Sequence, residues 1–240
     1  MLRKFLISLV CLSATQIAYS EVMECYSFNP LPGKTSLMLE HMNQAAEIHE
    51  SLGAVAGIYA VSVGGSGSQY DYCLRWNDPM SWAKTQDKMR VSKEFQDFFA
   101  KVQADPGGTL ISSGSFNNLD PSVKATDFQE PAVFQVISLS PAMDRLEDAI
   151  ERVKKLETLF EERGFRVEVY STEVGSPQGL HALVMADSWT TAIGFGMKEQ
   201  TQAEIAFEKS SDPSMYLSEA YLSRTVSSVM ASTLKGGRLF

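Results

Sequence analysis

The chain has 240 residues, 21 Lys+Arg against 29 Asp+Glu for a formal net charge of −8, and 44% hydrophobic residues. This length and apolar content suit one large domain or two small ones, each with a buried core. The acidic balance argues against nucleic acid or an anionic membrane surface as a partner, because both are bound through basic patches.

Residues 1–20 have the features of a secretory leader. Two basic residues, Arg3 and Lys4, precede an apolar stretch that is shorter than the roughly 20 residues of a stable membrane anchor. Small residues three and one positions before Glu21 fit a cleavage site after Ser20. The sequence therefore predicts export to the periplasm or the extracellular space, with cleavage near Ser20 and no stable membrane anchor.

Residues 21–117 have the pattern of a strand–helix–strand–strand–helix–strand (βαββαβ) module. Gly53 ends its first helix, and Asp78 with Pro79 has the pattern of an N-cap followed by proline at the first helical position. The predicted elements are a strand over 22–28, a helix from Thr35 or Ser36 to Leu52, strands over 54–63 and 69–76, a helix from Asp78 to about Val102 with a break near 90–92, and a strand over 107–116.

Residues 118–131 are predicted to be a polar linker, after which the same order returns over residues 132–240. When the first helices of the two halves are aligned on Gly53 and Gly164, their apolar faces coincide. The second set comprises a strand over 132–140, a helix over 141–163, strands over 165–174 and 180–187, a helical region from Ser188 to about Lys209 with a break near 194–196, and a closing strand within 216–230. The pattern predicts an internal repeat.

Two cysteines, Cys25 and Cys73, remain once the predicted leader is removed. An oxidising compartment permits a disulfide between them, and two buried thiols are the alternative.

The module resembles a known superfamily through its length of about 100 residues and through the segment Trp76 to Trp82. There an aromatic residue at the end of the third strand is followed directly by a capped helix. Both features are similar to the dimeric α+β barrel proteins of the ferredoxin-like class, which include antibiotic-biosynthesis-monooxygenase-like and NIPSNAP-like proteins. The resemblance covers nearly the whole mature chain, once in each half.

The resemblance implies an α+β fold in which two tandem ferredoxin-like βαββαβ modules pack their antiparallel sheets as one intrachain barrel. It also implies that the first and third strands are antiparallel neighbours. Cys25 and Cys73 would then lie on adjacent strands, where a disulfide is geometrically possible and depends on the register.

His49 is the ionisable residue of greatest interest. It lies on the apolar face of the first helix, so we expect it to face the sheet. Barrels that resemble this one keep their ligand cleft between helices and sheet, where a histidine serves as a base or a ligand. Phe160 stands at the aligned position of the second half, which favours a packing role instead. The predicted ligand-binding residues around this cleft are His49, Tyr26, Tyr72, Trp76, Asn77 and Trp82.

Sequence signatures of catalysis and of metal binding are missing. The turn 64–68 lacks the lysine of a phosphate-binding loop, and Gly-x-Ser-x-Gly does not occur. Haem-degrading members of the superfamily carry a histidine about ten residues after the strand-end tryptophan, where this chain has Gln86. We therefore expect neither a metal nor another cofactor.

The first functional hypothesis is an exported protein that binds or senses a small apolar or aromatic molecule. One alternative is a cofactor-independent, monooxygenase-like enzyme with its cleft around His49 and Trp76 in the first module. A structural scaffold is the other alternative. The sequence leaves a homo-oligomer open.

Overall fold

A computed structural model describes residues 20–64, 68–129, 132–141, 145–175, 179–197, 199–210 and 223–233, so residues 1–19 of the predicted leader lie outside it. Each half follows the predicted βαββαβ order. The strands are β1 (Val22–Pro30), β2 (Val55–Val63), β3 (Tyr70–Trp76), β4 (Gly108–Asn118), β5 (Val133–Pro141), β6 (Arg166–Val174), β7 (Leu180–Ala186) and β8 (Ser223–Thr233). The helices are α1 (Thr35–Leu52), α2 (Pro79–Val91), α3 (Lys93–Ala104), α4 (Leu146–Glu161), α5 (Trp189–Met197) and α6 (Gln202–Ser210).

The described strands form one closed antiparallel barrel in the order β1-β3-β2-β8-β5-β7-β6-β4. The two halves are joined at both seams, where β2 pairs with β8 and β4 pairs with β6. Closure in this way leaves neither four-stranded sheet with an unpaired edge. The predicted fold class, two ferredoxin-like modules that form an intrachain α+β barrel, is confirmed.

Along a strand, one set of alternate residues faces the helices and the other set faces the barrel interior, because successive side chains point to opposite sides. Outside the barrel, α1 covers the sheet of the first half and α4 covers the sheet of the second. None of the described helices is both long and apolar enough to cross a membrane. Two apolar cores lie beneath α1 and α4, one in each half. A third core fills part of the barrel interior, and it includes Met23, Tyr59, Val61, Cys73, Phe134, Tyr170, Leu183 and Met185.

The segment predicted as a linker closes one end of the barrel. Its short 3₁₀ helix, Ala125–Phe128, lies beneath the interior core, and Val123 and Phe128 are buried in that core. Asn77, directly after β3, accepts a hydrogen bond of 2.9 Å from the backbone N–H of Ala125. We call this closed end the floor of the barrel.

Helix α1 begins at Thr35 as predicted, with Lys34 at its N-cap. Other predicted helix boundaries differ from the structure. Helix α4 begins at Leu146 rather than at 141, because Pro141 still pairs with β8. The break in the last helical region follows Met197, the last residue of α5, whereas it was expected near 194–196. A capping box then starts α6, since Thr201 and Glu204 exchange backbone-to-side-chain hydrogen bonds.

Two predicted helix features agree with the structure. The carboxylate of Asp78 accepts a hydrogen bond of 2.8 Å from Ser81 N–H and caps α2, with Pro79 at the first helical position. The break expected near 90–92 lies at Ser92, which ends α2 and caps α3 by accepting a hydrogen bond from Phe95 N–H.

Candidate ligand-binding site

His49 lies in the packed layer between α1 and the first sheet. Its Nδ1 atom is 2.7 Å from the carbonyl oxygen of Ala45 and 2.8 Å from the hydroxyl of Tyr72. The Phe95 ring packs against the imidazole at a centroid distance of 5.6 Å. Burial lowers the pKa of His49, and the residue is only 7% exposed. His49 is therefore a buried packing residue with a backbone partner.

Of the other candidates in the first module, Tyr72 contacts His49, whereas Tyr26, Trp82 and Asn77 are engaged elsewhere. Trp76 is 1% exposed in the core beneath α1, and Asn77 is turned toward the floor, where it holds Ala125. The space between α1 and the sheet is occupied by apolar side chains. The cleft predicted around His49 and Trp76 is thus filled, and its six candidate residues do not form one site.

Tyr26 and Trp82 instead meet on the outer face of β1. The Glu24 carboxylate accepts hydrogen bonds from the Tyr26 hydroxyl (2.8 Å) and from the Trp82 indole N–H (2.7 Å). These three residues line a groove of about 490 Å³ that reaches β4 and Glu173. Both oxygens of Glu24 are engaged by the protein itself, so this acid is already satisfied.

A second cavity, of about 370 Å³, lies inside the barrel. We call it the lumen cavity, and it is lined by Met23, Cys25, Ser27, Tyr59, Gly64, Gln69, Asp71, Cys73, Arg75, Ser112, Phe116, Phe134, Val136, Ser138, His181 and Leu183. Its volume falls within the range of about 300–1,000 Å³ that is usual for small-molecule sites. Both halves of the chain contribute to its wall, so one half alone would not enclose it.

Aromatic and sulfur-containing side chains form the apolar walls of the lumen cavity. Tyr59 and Phe134 pack edge to face across the two halves, with ring centroids 5.2 Å apart. A disulfide joins Cys25 to Cys73, which are directly opposite residues of β1 and β3. Phe116 packs edge-on against the imidazole of His181 at 4.8 Å. Such walls favour an apolar or aromatic ligand body.

The two halves place corresponding polar residues in the lumen. In the first half Asp71 of β3 is opposite Ser27 on one side and Tyr59 on the other. The same register in the second half puts His181 of β7 opposite Ser138 and Tyr170. An acid and an imidazole therefore occupy equivalent positions of the two sheets and line one cavity.

Protein groups hold both of these side chains. Asp71 accepts a hydrogen bond of 2.8 Å from the Gln69 side-chain amide. The His181 ring nitrogens lie 2.8 Å from the Ser138 hydroxyl and 2.9 Å from the Thr172 hydroxyl. Burial raises the pKa of Asp71 and lowers the pKa of His181 to about 4, so that His181 is neutral at physiological pH.

Arg75 closes the lumen at the floor. Its guanidinium donates hydrogen bonds to Glu21 (2.8 Å) and to the Tyr170 hydroxyl (2.6 Å). The Phe128 ring covers the guanidinium at 3.7 Å, which is a cation–π arrangement. Arg75, the arginine among the described lining residues, therefore already has a carboxylate partner. The opposite end of the cavity reaches the exposed residues Gly64 and Ser112.

Comparison with known proteins identifies the fold alone. No protein-family model and no curated protein matches the chain. A "putative monooxygenase" from Fusobacterium nucleatum superposes with a TM-score of 0.56 at 11% identity, covering 90% of this chain and 94% of that one. An anthrone oxidase-like protein gives 0.55 at 12% identity, covering 89% and 91%, and a "putative chlorite dismutase" gives 0.52 at 13%, covering 90% and 96%.

The chain has the dimeric α+β barrel fold. The resemblance drawn from the repeated module and from the segment Trp76 to Trp82 is thereby confirmed at the level of the fold. In this barrel the strands of both sheets come from one chain, and each of these neighbours aligns over more than nine-tenths of its own length.

The histidines of this barrel do not fit a haem site. Gln86, which occupies the place where the resemblance led us to look for a histidine, lies on α2. Both ring nitrogens of His181 are engaged, His49 is packed between rings, and His41 is buried edge-on against Phe98. Across the part of the chain that the structure describes, no three His, Cys, Asp or Glu side chains converge as a metal site.

Sequence reasoning missed the lumen residues because it followed the helix-facing positions. The signal that could have found them is the other set of alternate residues along two strands, the set that faces away from the helices. Positions 23, 25 and 27 of β1 and positions 71, 73 and 75 of β3 all line the cavity. Of these six residues, the sequence singles out only Cys25 and Cys73, and these as a possible disulfide rather than as ligand-binding residues.

Proposed function

We propose that this barrel is an exported small-molecule binding protein whose ligand occupies the lumen cavity. The observation that supports this proposal is a cavity of about 370 Å³ with apolar walls and a small set of polar groups. Binding sites of this kind combine apolar burial with a few polar groups that orient the ligand. The ligand body we expect is apolar or aromatic, in keeping with Tyr59, Phe116 and Phe134.

Export is supported by two independent features. The first is the leader-like sequence before Glu21, and the second is the Cys25–Cys73 disulfide, which persists in oxidising compartments. Expression with the native leader in a bacterial host, followed by the intact mass of the periplasmic fraction, tests this part. Loss of residues 1–20 supports export, and an unprocessed cytoplasmic product contradicts it.

Native mass spectrometry of the exported protein tests ligand binding. We expect an additional non-covalent mass that disappears under denaturing conditions. Val136→Phe places a ring in the lumen and should remove that mass. Ile111→Phe makes a comparable change on β4 at a side chain that is 44% exposed, and it should retain the mass.

Two results would count against a lumen ligand. If the additional mass survives in the Val136→Phe variant, the molecule binds elsewhere, and the groove of Glu24 and Trp82 becomes the site to examine. If the wild-type protein repeatedly carries no ligand, the scaffold alternative is favoured. The enzyme alternative located in the first module has no open cleft around His49 in which to act.

A further inference from the structure

We propose that the lumen cavity selects a small organic cation, a protonated amine on an apolar or aromatic body, with Asp71 as its counter-ion. This inference rests on the proposed lumen function and adds the chemical class of the ligand. Its argument comes from the charges of the residues that line the cavity.

Among the described lining residues, Asp71 supplies a carboxyl group and Arg75 a guanidinium, and Asp71 is the one without an oppositely charged partner. Arg75 is paired with Glu21 and covered by Phe128 at the floor. Asp71 makes no ion pair with any cation in the described residues, and its partners there are the neutral side chains of Gln69 and Ser27. His181 is neutral because burial lowers its pKa to about 4. Because Glu21 neutralises Arg75, an ionised Asp71 leaves one uncompensated negative charge in the cavity wall.

A carboxylate in such a place is costly for the empty protein. Removal of an ionised group from water without a counter-charge is unfavourable, and accordingly burial raises the pKa of Asp71. A ligand that brings a positive charge offsets this cost, whereas an anionic ligand adds to it. A neutral ligand can satisfy a lone pair of Asp71 but not its charge.

The walls suit the same class of ligand. The rings of Tyr59, Phe116 and Phe134 present π-systems to the cavity, and a cation over an aromatic face is attracted by the ring quadrupole. The apolar residues Met23, Val136 and Leu183 accommodate the uncharged body. The net charge of −8 for the whole chain also raises the local concentration of cations and lowers that of anions.

Three probes of similar size and different charge test the proposal: phenethylamine, 2-phenylethanol and 3-phenylpropionate. Isothermal titration of each into the full chain at neutral pH should show phenethylamine binding about tenfold more tightly than 2-phenylethanol. This ratio corresponds to the difference between a charged and a neutral hydrogen bond. We expect 3-phenylpropionate to bind more weakly than either.

Asp71→Asn removes the charge and keeps an acceptor for Gln69. In this variant the affinity for phenethylamine should fall to the affinity for 2-phenylethanol. The affinity for 2-phenylethanol itself should stay the same. The matched control is Asp87→Asn, which makes the same change of net charge on the exposed side of α2 and should leave all three affinities unchanged. Thermal melting of each variant verifies that it is folded.

The outcomes separate the two proposals. If 2-phenylethanol or 3-phenylpropionate binds at least as tightly as phenethylamine, or if Asp71→Asn leaves the amine affinity unchanged, cation selection is wrong. A lumen ligand lost on Val136→Phe substitution would then still stand. If phenethylamine does not bind, cation selection is also overturned, and the native mass spectra decide the lumen function on their own.

Discussion

Arg75 donates a hydrogen bond of 2.8 Å to Glu21 at the floor of the barrel, and the two side chains are 3% and 0% exposed. The same guanidinium reaches Tyr170 of the second half. This buried group therefore links the start of β1 to the end of β3 and joins the two halves of the barrel. We expect removal of one partner of such a buried pair to destabilise the protein more than removal of both, because the remaining charge would be buried alone.

Arg75→Met should lower the free energy of unfolding by about 3–5 kcal/mol, because the carboxylate of Glu21 would remain buried without a partner. Urea denaturation of the wild type and the variant measures this loss. The double variant Glu21→Leu/Arg75→Met should recover most of it, because neither charge is then left in the core.

The control for this prediction is the exposed pair of Lys155 and Glu151, one turn apart on α4, whose atoms are 2.7 Å from each other. Lys155→Met should change the free energy of unfolding by less than about 1 kcal/mol, since solvent screens an exposed pair. An equally small loss in Arg75→Met would mean that the floor does not depend on this ion pair.

The Cys25–Cys73 disulfide should stabilise the barrel. It closes a loop with a sequence separation of 48 residues, and loops of that order contribute about 2–4 kcal/mol. The double variant Cys25→Ala/Cys73→Ala should lose this amount in chemical denaturation. The wild type should lose a similar amount in the presence of reductant, whereas the variant should not respond to reductant. A reductant effect on both proteins would place the cause outside this bond.

His181 should make the protein less stable as the pH falls from about 6.5 to about 4. Its pKa is about 4 in the folded state and near 6.5 when unfolded, so in this window only the unfolded state binds the proton. Stability is full above the unfolded pKa and is lost as the pH falls, by as much as about 3 kcal/mol. Below about pH 4 this contribution stops changing.

His181→Gln isolates this contribution, because glutamine can still contact the hydroxyls of Ser138 and Thr172 without titrating in this range. The difference in unfolding free energy between wild type and variant should shrink steadily from pH about 7 to pH about 4. The raised pKa of Asp71 changes the unfolding free energy with pH in the opposite direction. This change is present in both proteins, so it cancels when their unfolding free energies are subtracted. A difference that does not vary with pH would contradict the low pKa of His181.

His49→Phe should be tolerated, because the position is a packing site and the second half has Phe160 at the aligned place. We expect a loss of about 1 kcal/mol, because the Tyr72 hydroxyl loses a partner. Addition of Tyr72→Phe should restore the stability, since both polar partners are then apolar. Ligand retention in the native mass spectra should be unchanged. Loss of the ligand in His49→Phe alone would instead indicate a functional role.

The order of elements was predictable because it depends on local patterns. Gly53 caps the end of α1, and Asp78 with Pro79 begins α2 as expected, while Gly164 lies with a positive φ in the turn that follows α4, which ends at Glu161. Boundaries failed where long-range contacts decided them. Pro141, which would suit the start of a helix, remains in β5 because β8 pairs with it. The predicted linker became the floor because Val123 and Phe128 found an apolar interior to enter.

The sequence by itself determined the secondary structure of the two halves, because hydrophobic period, caps and glycine stops act over a few residues. It also placed Cys25 and Cys73 on neighbouring strands once the strand order was taken from the resemblance. Only the tertiary structure decided where an open cavity lies. The side of a strand that faces free space depends on how closely other elements pack against it. Helix α1 fills the outer side at His49, whereas the closed barrel leaves room beside Asp71 and His181.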